Sequence, residues 1–126
     1  MKDSKLVDSS VWLAYLFNRK CTEIIDSDEI LLLSALSLFE IKKKLMKNKL
    51  EANKITKSME FIKKRSLIIP VSGNIAEKAV ELSLENELPI VDSVIYATSV
   101  LNNACLITLD NDFRGLKNAI VLQEGQ

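Results

Sequence analysis

Histidine is absent from the 126 residues. Its absence excludes Ser-His-Asp and Cys-His triads, imidazole general bases and zinc sites that need His ligands. Glycine and proline are scarce, with three and two residues, and no repeat is present, which excludes collagen-like and low-complexity chains. With Gly73, Gly115 and Gly125 alone, neither a P-loop nor a dinucleotide-binding fingerprint can be written. The two cysteines, Cys21 and Cys105, lie far apart in apolar surroundings and read as small buried hydrophobes in a reducing compartment. The longest apolar run, Val11 to Phe17, falls far short of the ~20 residues of a membrane span. Asp3, Lys5 and Asp8 precede that run and no small-residue cleavage site follows it, so it does not read as a signal peptide. A cytoplasmic protein without a membrane partner is expected. Seventeen basic residues balance 17 acidic ones, so no global charge draws the chain to polyanions. Chemistry must come from carboxylates, hydroxyls, lysines or backbone.

What is present is an apolar fraction of 48%, enough to exclude disorder and to bury a single core. No linker interrupts residues 1–126, so one domain is expected throughout. Short apolar stretches predict strands at Lys5–Asp8, Glu29–Leu33, Leu67–Val71, Ala104–Leu109 and Ala119–Leu122. Between them, helical periodicity runs from Ser9-Ser10 to Phe17, around Cys21–Asp26, from Ser34 or Ser37 to Met46, over 51–65, through Ile75–Leu82, and after Pro89. Strands alternating with helices imply parallel pairing and helices on both faces, an α/β sandwich with a central parallel sheet.

In open parallel sheets ligands gather at the carboxyl ends of the strands. Asp8 stands at the end of the first predicted strand, and Asp110 and Asp112 follow the strand LITL. Glu40 lies early in the helix after ILLL, and Asp92 near the start of the helix leading into LITL. Each has an ordinary explanation. Asp8 and Asp92 sit where helix caps sit, and Asp110-Asn111-Asp112 is ordinary turn chemistry. Glu40 precedes Lys43 and Lys44 at salt-bridge spacing. Together, however, four or five converging carboxylates cost Coulomb energy, and a fold that gathers them usually holds a cation. Oxygen ligands without His or thiolate favour Mg²⁺ or Mn²⁺. Such a site activates water and holds a phosphodiester for in-line attack. Ser10, two residues beyond Asp8, and Thr108, two before Asp110, are placed to orient the carboxylates.

The segments VDSSVWLAYL (7–16), LFEIKKKL (38–45), IVDSVIYATS (90–99) and LITLDNDF (106–113) resemble, in order and spacing, the PIN-domain family. Within it they are most similar to the small, single-domain VapC-type ribonuclease toxins. The resemblance spans Leu6 to about Leu122, and the combination D-S-S, D-x-x-I-x-A-T and T-x-D-x-D-F is specific where one piece alone is weak. It implies a Mg²⁺-dependent endoribonuclease, commonly a homodimer, blocked by a VapB-like antitoxin. Position by position, it places Asp8, Glu40, Asp92 and Asp110 in the catalytic metal site. Asp112 is a further acidic position whose importance varies among relatives, and Ser10 and Thr108 are the supporting hydroxyls. The expected chemistry is phosphodiester hydrolysis leaving 5′-phosphate and 3′-hydroxyl ends.

The even global charge conceals a local bias. From Lys42 to Arg65 ten basic residues face two acidic ones, so this segment is +8 and the remainder −8. A basic helical arm beside an acidic metal site suits an RNA substrate, with Lys43, Lys44 and Lys47 as the expected contacts. A lysine-rich helix face is also ordinary solvated surface. Trp12, Tyr15 and Phe17 share one helix, where packing is expected. Phe39 and Phe61 are expected to be exposed on the arm, in a groove for an antitoxin helix or a dimer surface.

Three other readings compete. A phosphoacceptor receiver domain needs an Asp at mid-chain and a Lys ending the last strand, and residues 51–65 contain no Asp. A non-catalytic metal- or RNA-binding module would keep the fold without cleavage. A housekeeping RNA-processing nuclease would keep the chemistry without the toxin role.

Overall fold

The computed structural model describes residues 4–123; Asp3 and Gly125, named above, lie outside them. The order of elements is β1 (Lys5–Val7), α1 (Ser9–Asn18), α2 (Thr22–Ile25), β2 (Leu31–Ser34), α3 (Ala35–Lys47), α4 (Ala52–Arg65), β3 (Ser66–Ile69), α5 (Gly73–Asn86), α6 (Ile90–Leu101), β4 (Cys105–Thr108), a 3₁₀ turn (Asn111–Phe113) and β5 (Ala119–Val121). The five strands form one sheet in the order β3-β2-β1-β4-β5, and every pairing is parallel. This is the α/β sandwich that the alternation predicted.

Alternation along each strand divides the core in two. Val7, Leu31, Leu33 and Ile107 point to one face, where Val11, Trp12, Ile41, Leu45 and Ile62 from α1, α3 and α4 cover them. Leu6, Leu32 and Leu106 point to the other, against Ile75, Leu82, Ile95 and Tyr96 of α5 and α6. Three adjacent leucines, Leu31 to Leu33, thus serve both layers, which a strand buried on both sides requires.

Several boundaries shift from the sequence reading, each for a local reason. The second strand begins at Leu31 and not Glu29, because Glu29 turns out to pair with Lys5 at the sheet's rim. It extends to Ser34, which pairs with Ile69, is fully buried, and accepts the Leu36 N–H at 3.1 Å as the cap of α3. The third strand stops at Ile69, since Pro70 has no N–H for a ladder. Ser72 caps α5 through the Ile75 N–H, and α5 runs on to Asn86, a turn beyond Leu82.

The order of the chain creates the place for a site. From β1 it moves outward through β2 to β3, then returns across to β4 and β5. The strand order therefore reverses between β1 and β4, and the crevice beyond their carboxyl ends is where such sheets bind ligands. Asp8 leaves β1 there, with its N–H bonded to Ile107 O of β4 at 2.9 Å.

Candidate metal centre

Asp8 occupies the residue before α1 in extended conformation, but its side chain makes no cap bond. One oxygen, Oδ2, instead accepts two hydroxyl hydrogen bonds, from Ser10 Oγ and Thr108 Oγ1, both at 2.8 Å. Each hydroxyl has one proton and spends it on Asp8. As acceptors, Ser10 Oγ takes the Leu109 N–H and Thr108 Oγ1 takes the Asp110 N–H, both at 3.0 Å. The two hydroxyls therefore join β1's carboxylate to the backbone that follows β4. Asp8 is 7% exposed and Thr108 fully buried, so this network fixes one oxygen of the carboxylate.

The other acids arrive from separate elements. Asp92 is the third residue of α6, whose cap position is Pro89, so it does not cap that helix. Asp110 does make a turn bond: its Oδ1 accepts the Asp112 N–H at 2.9 Å, which winds the 3₁₀ turn. The turn is anchored by Phe113, fully buried against the α5–α6 layer. One carboxylate oxygen from each of Asp92, Asp110 and Asp112 lies within 4.8 Å of the others. Glu40, on α3, receives a hydrogen bond from Ser9 Oγ at 3.2 Å. The ordinary alternative for Glu40, an ion pair with Lys43 or Lys44, does not form; among the described residues the ion pairs are Lys5–Glu29 and Lys78–Glu81.

Electrostatics tie the five carboxylates into one cluster. Burial first, then the charges of Asp110, Asp112 and Asp8, push the Asp92 carboxyl up to about 7. Burial and the charge of Asp8 raise Glu40 as well; the Ser9 hydroxyl opposes them, and Asp110 adds a smaller push in the same direction. Half-buried acids held this close are short of positive charge. An all-oxygen donor set without thiolate or imidazole fits a hard divalent ion. The carboxylates whose oxygens come together are those of Asp92, Asp110 and Asp112, with Asp8 and Glu40 near enough to act on the cluster electrostatically.

The sequence reading named every acid here, and it named Ser10 and Thr108 as supports. It missed Ser9, taken only as the start of a helix. The signal was present in the doubled serine after Asp8: adjacent helix residues point about 100° apart, so one reaches Asp8 and the other reaches α3.

The basic arm lies along the same helix as Glu40. Lys42, Lys43, Lys44, Lys47 and Lys49, and Lys54, Lys57, Lys63 and Lys64 on α4, are all exposed. Arg65 differs from the role assigned to it there. Its guanidinium donates to three backbone carbonyls, Ile25 at 2.7 Å, Ser27 at 2.8 Å and Glu29 at 3.0 Å, so it ties α4 to the loop before β2. Of the two arm aromatics, Phe39 is 61% exposed with Lys43 Nζ 5.7 Å from its ring centre. Phe61, 38% exposed, also stacks on Tyr15 at 5.9 Å and meets Trp12 edge-on. Between α3 and α4 a groove of 610 Å³ has Leu38, Phe39, Met46 and Met59 for its floor and Lys43 and Lys47 among its walls. No helix among the described residues is long and apolar enough to cross a membrane.

A sequence model of the PIN domain matches residues 5–118. No curated protein matches. Among solved structures, the fold is similar to a toxin–antitoxin complex from Klebsiella pneumoniae, with TM-score 0.80 and 22% identity over 93% of this chain and 96% of that one. It is similar to VapBC2 from Rickettsia felis bound to a promoter DNA fragment, with TM-score 0.76 and 18% identity over 94% and 97%. VapC20 of Mycobacterium tuberculosis, a Sarcin-Ricin loop cleaving toxin, superimposes with TM-score 0.64 and 17% identity over 86% and 91%. The folds agree with the sequence match, and with the family model spanning residues 5–118 the protein belongs to the PIN domain family.

Proposed function

We propose that this PIN domain is a divalent-metal-dependent endoribonuclease and the toxin of a toxin–antitoxin pair. The observation that carries the reading is the cluster itself: five carboxylates from four segments, with Asp92 pushed up to about 7 by burial and by its acidic neighbours. A stability role does not account for that arrangement, because like charges gathered in a half-buried cleft oppose folding. When bound, Mg²⁺ or Mn²⁺ supplies a Lewis acid for the phosphodiester oxygens and lowers the cost of deprotonating water.

The chain's own residues divide the remaining work. Asp8, Asp92 and Asp110 hold the ion, with Asp112 as a further carboxylate on the same turn. Ser10 and Thr108 lock Asp8 Oδ2, which leaves Oδ1 for the cleft. Glu40, which flanks these acids from α3 and meets the Ser9 hydroxyl, is the group to accept a proton from the attacking water. The exposed lysines of α3 and α4 attract the RNA backbone toward the acids.

Two partners follow from this reading. A VapB-like antitoxin fits the apolar, lysine-walled groove between α3 and α4, where an acidic amphipathic helix would bury its apolar face. The Klebsiella and Rickettsia structures, both toxin–antitoxin assemblies, support such a partner. A second copy of the chain fits the uncharged face of α5 and α6, where Val80, Leu84 and Ile90 stand exposed. The cytoplasm, where RNA is available, is the compartment this function requires.

The test is incubation of the purified protein with a structured RNA pool in Mg²⁺ or Mn²⁺, beside EDTA and Asp8→Asn controls, with mapping of the new ends. Cleavage lost in both controls and leaving 5′-phosphates is the expected result. A folded protein that binds Mn²⁺ yet cuts no RNA in the pool would leave a non-catalytic binding module in its place.

A further inference from the structure

The turn that carries Asp110 and Asp112 also carries an arginine that the proposed chemistry does not use. Arg114 follows the 3₁₀ turn directly, and its position is set by the buried Phe113 before it and by Gly115, at φ 85°, after it. Its guanidinium is oriented as well: Nε and Nη2 both donate to Asn111 Oδ1, at 3.2 and 2.7 Å. Asp112 and Asp110 lie two and four residues away, yet among the described residues neither forms an ion pair with it. Asn111 is thus the partner the fork takes in place of these carboxylates. Of the five N–H donors of an arginine, two are spent on Asn111, and the remaining edge offers one Nη1 and one Nη2 proton side by side.

Arg114 lines a cleft of 430 Å³ together with Leu109, Asn111, Leu122 and Gln123. The cleft is fixed relative to Asp8. Leu109 donates its N–H to Ser10 Oγ, and Leu122 donates its N–H to Thr108 O at 2.7 Å, so both leucines hang from the residues that hold Asp8. A phosphate does not seek leucine walls, whereas a nucleobase offers two apolar faces and a polar edge. Paired N–H donors from arginine match the O6 and N7 acceptors of guanine.

We propose that this cleft binds a single-stranded guanine base adjoining the scissile phosphate, with Leu109 and Leu122 against its faces and Arg114 on its Hoogsteen edge. The inference rests on the RNA reading above and adds to it a specificity-determining residue. It also gives Asn111 a part, that of a positioning residue for the arginine.

Binding separates the two readings. Labelled single-stranded heptamers, all uridine or with one guanosine or one 7-deazaguanosine at the centre, are titrated by anisotropy in Ca²⁺ with the wild-type protein and with Arg114→Ala and Arg114→Lys. Thermal melts check that the variants fold. Wild type is expected to bind the guanosine heptamer about tenfold tighter than the other two, and both variants to lose that difference. Three results would overturn the assignment: equal binding of all three by the wild type, no binding of any, or an Arg114→Ala loss that is the same for every heptamer. The analogue arm needs no variant, so a misfolded mutant cannot rescue or sink the idea. Cleavage of the same heptamers in Mn²⁺ is scored apart. A guanine preference in a protein that also cuts nothing in the structured RNA pool keeps the cleft and ends the nuclease reading, and cleavage without preference does the reverse.

Discussion

One helix, α3, joins two charged regions that are built in opposite ways. Near its start Glu40 enters a cleft of five acids, and beyond it Lys42, Lys43, Lys44 and Lys47 begin the basic arm. Asp8 is buried, Glu40, Asp92 and Asp110 are half-buried, and three of these are scaffolded: Asp8 by two hydroxyls, Glu40 by Ser9, Asp110 by its own turn. The lysines are exposed and, among the described residues, none of those on the arm enters an ion pair. Like charges in solvent are screened and cost little, so a lysine-rich face alone implies no purpose. Like charges held together out of water cost folding energy, and here hydroxyls of Ser9, Ser10 and Thr108 hold two of them in place. The acidic cleft is therefore the proposed site, and the arm acquires meaning from lying beside it.

The sharpest way to break that contrast is Asp92→Asn. It removes one charge from the most crowded position, and metal-dependent cleavage is expected to fall to the EDTA background. The metal-free variant is expected to melt higher than the wild type, because repulsion is relieved. Loss of activity together with a lower melting temperature would point to a structural Asp92. Retention of activity would move the metal centre elsewhere.

The pH dependence of stability probes the same crowding. Asp92 is raised to about 7 and Glu40 is raised as well. Without metal, the folded protein therefore holds protons that the unfolded chain has released between about pH 4 and 7. Stability is present below that window and is lost as pH rises through it. Melts in EDTA at pH 5 and pH 8 should show the wild type lower at pH 8, with a smaller drop for Asp92→Asn. Adding Mn²⁺ at pH 8 should restore the loss by binding the folded state. An identical pH difference in wild type and variant would assign the protons to other groups.

Thr108→Val tests the scaffold in place of the charge. It keeps the shape of the side chain but removes the proton given to Asp8 and the acceptor for the Asp110 N–H. Mn²⁺ affinity is expected to fall about 10- to 100-fold, measured by titration, with the fold retained. Unchanged affinity would show that Ser10 alone suffices to orient Asp8.

Sequence reading reached Asp8, Asp110 and the layer order for the same physical reason. Strands buried on both faces write themselves as apolar runs, such as LLL at 31–33, and a carboxylate directly after such a run has one place to go. What it missed depends on direction and distance that a linear pattern lacks. Ser9 and Ser10 are neighbours in sequence but serve different carboxylates. Glu40 and Lys43 have the spacing of an ion pair, yet Glu40 turns to Ser9. Arg65 continues a basic run, and only the fold shows three carbonyls converging on it.

Arg65 accordingly sharpens the contrast within the arm. Arg65→Ala strands three carbonyls and should lower stability by about 2 kcal/mol, read from chemical denaturation, without changing the salt dependence of RNA binding. A change in that slope would place Arg65 among the RNA contacts after all.

The smallest expected effect concerns the lysines themselves. Lys43, Lys44 and Lys47 changed together to Gln should leave the melting temperature close to that of the wild type, since none is paired or buried. If each neutralises one phosphate of a single strand, the slope of log affinity against log salt should become shallower by about 2. That readout is specific to counterion release and does not move with folding or metal binding. A slope unchanged in the triple variant would make these three lysines solvated surface, and the attraction of RNA to the acidic cleft would then fall to Lys54, Lys57, Lys63 and Lys64 on α4.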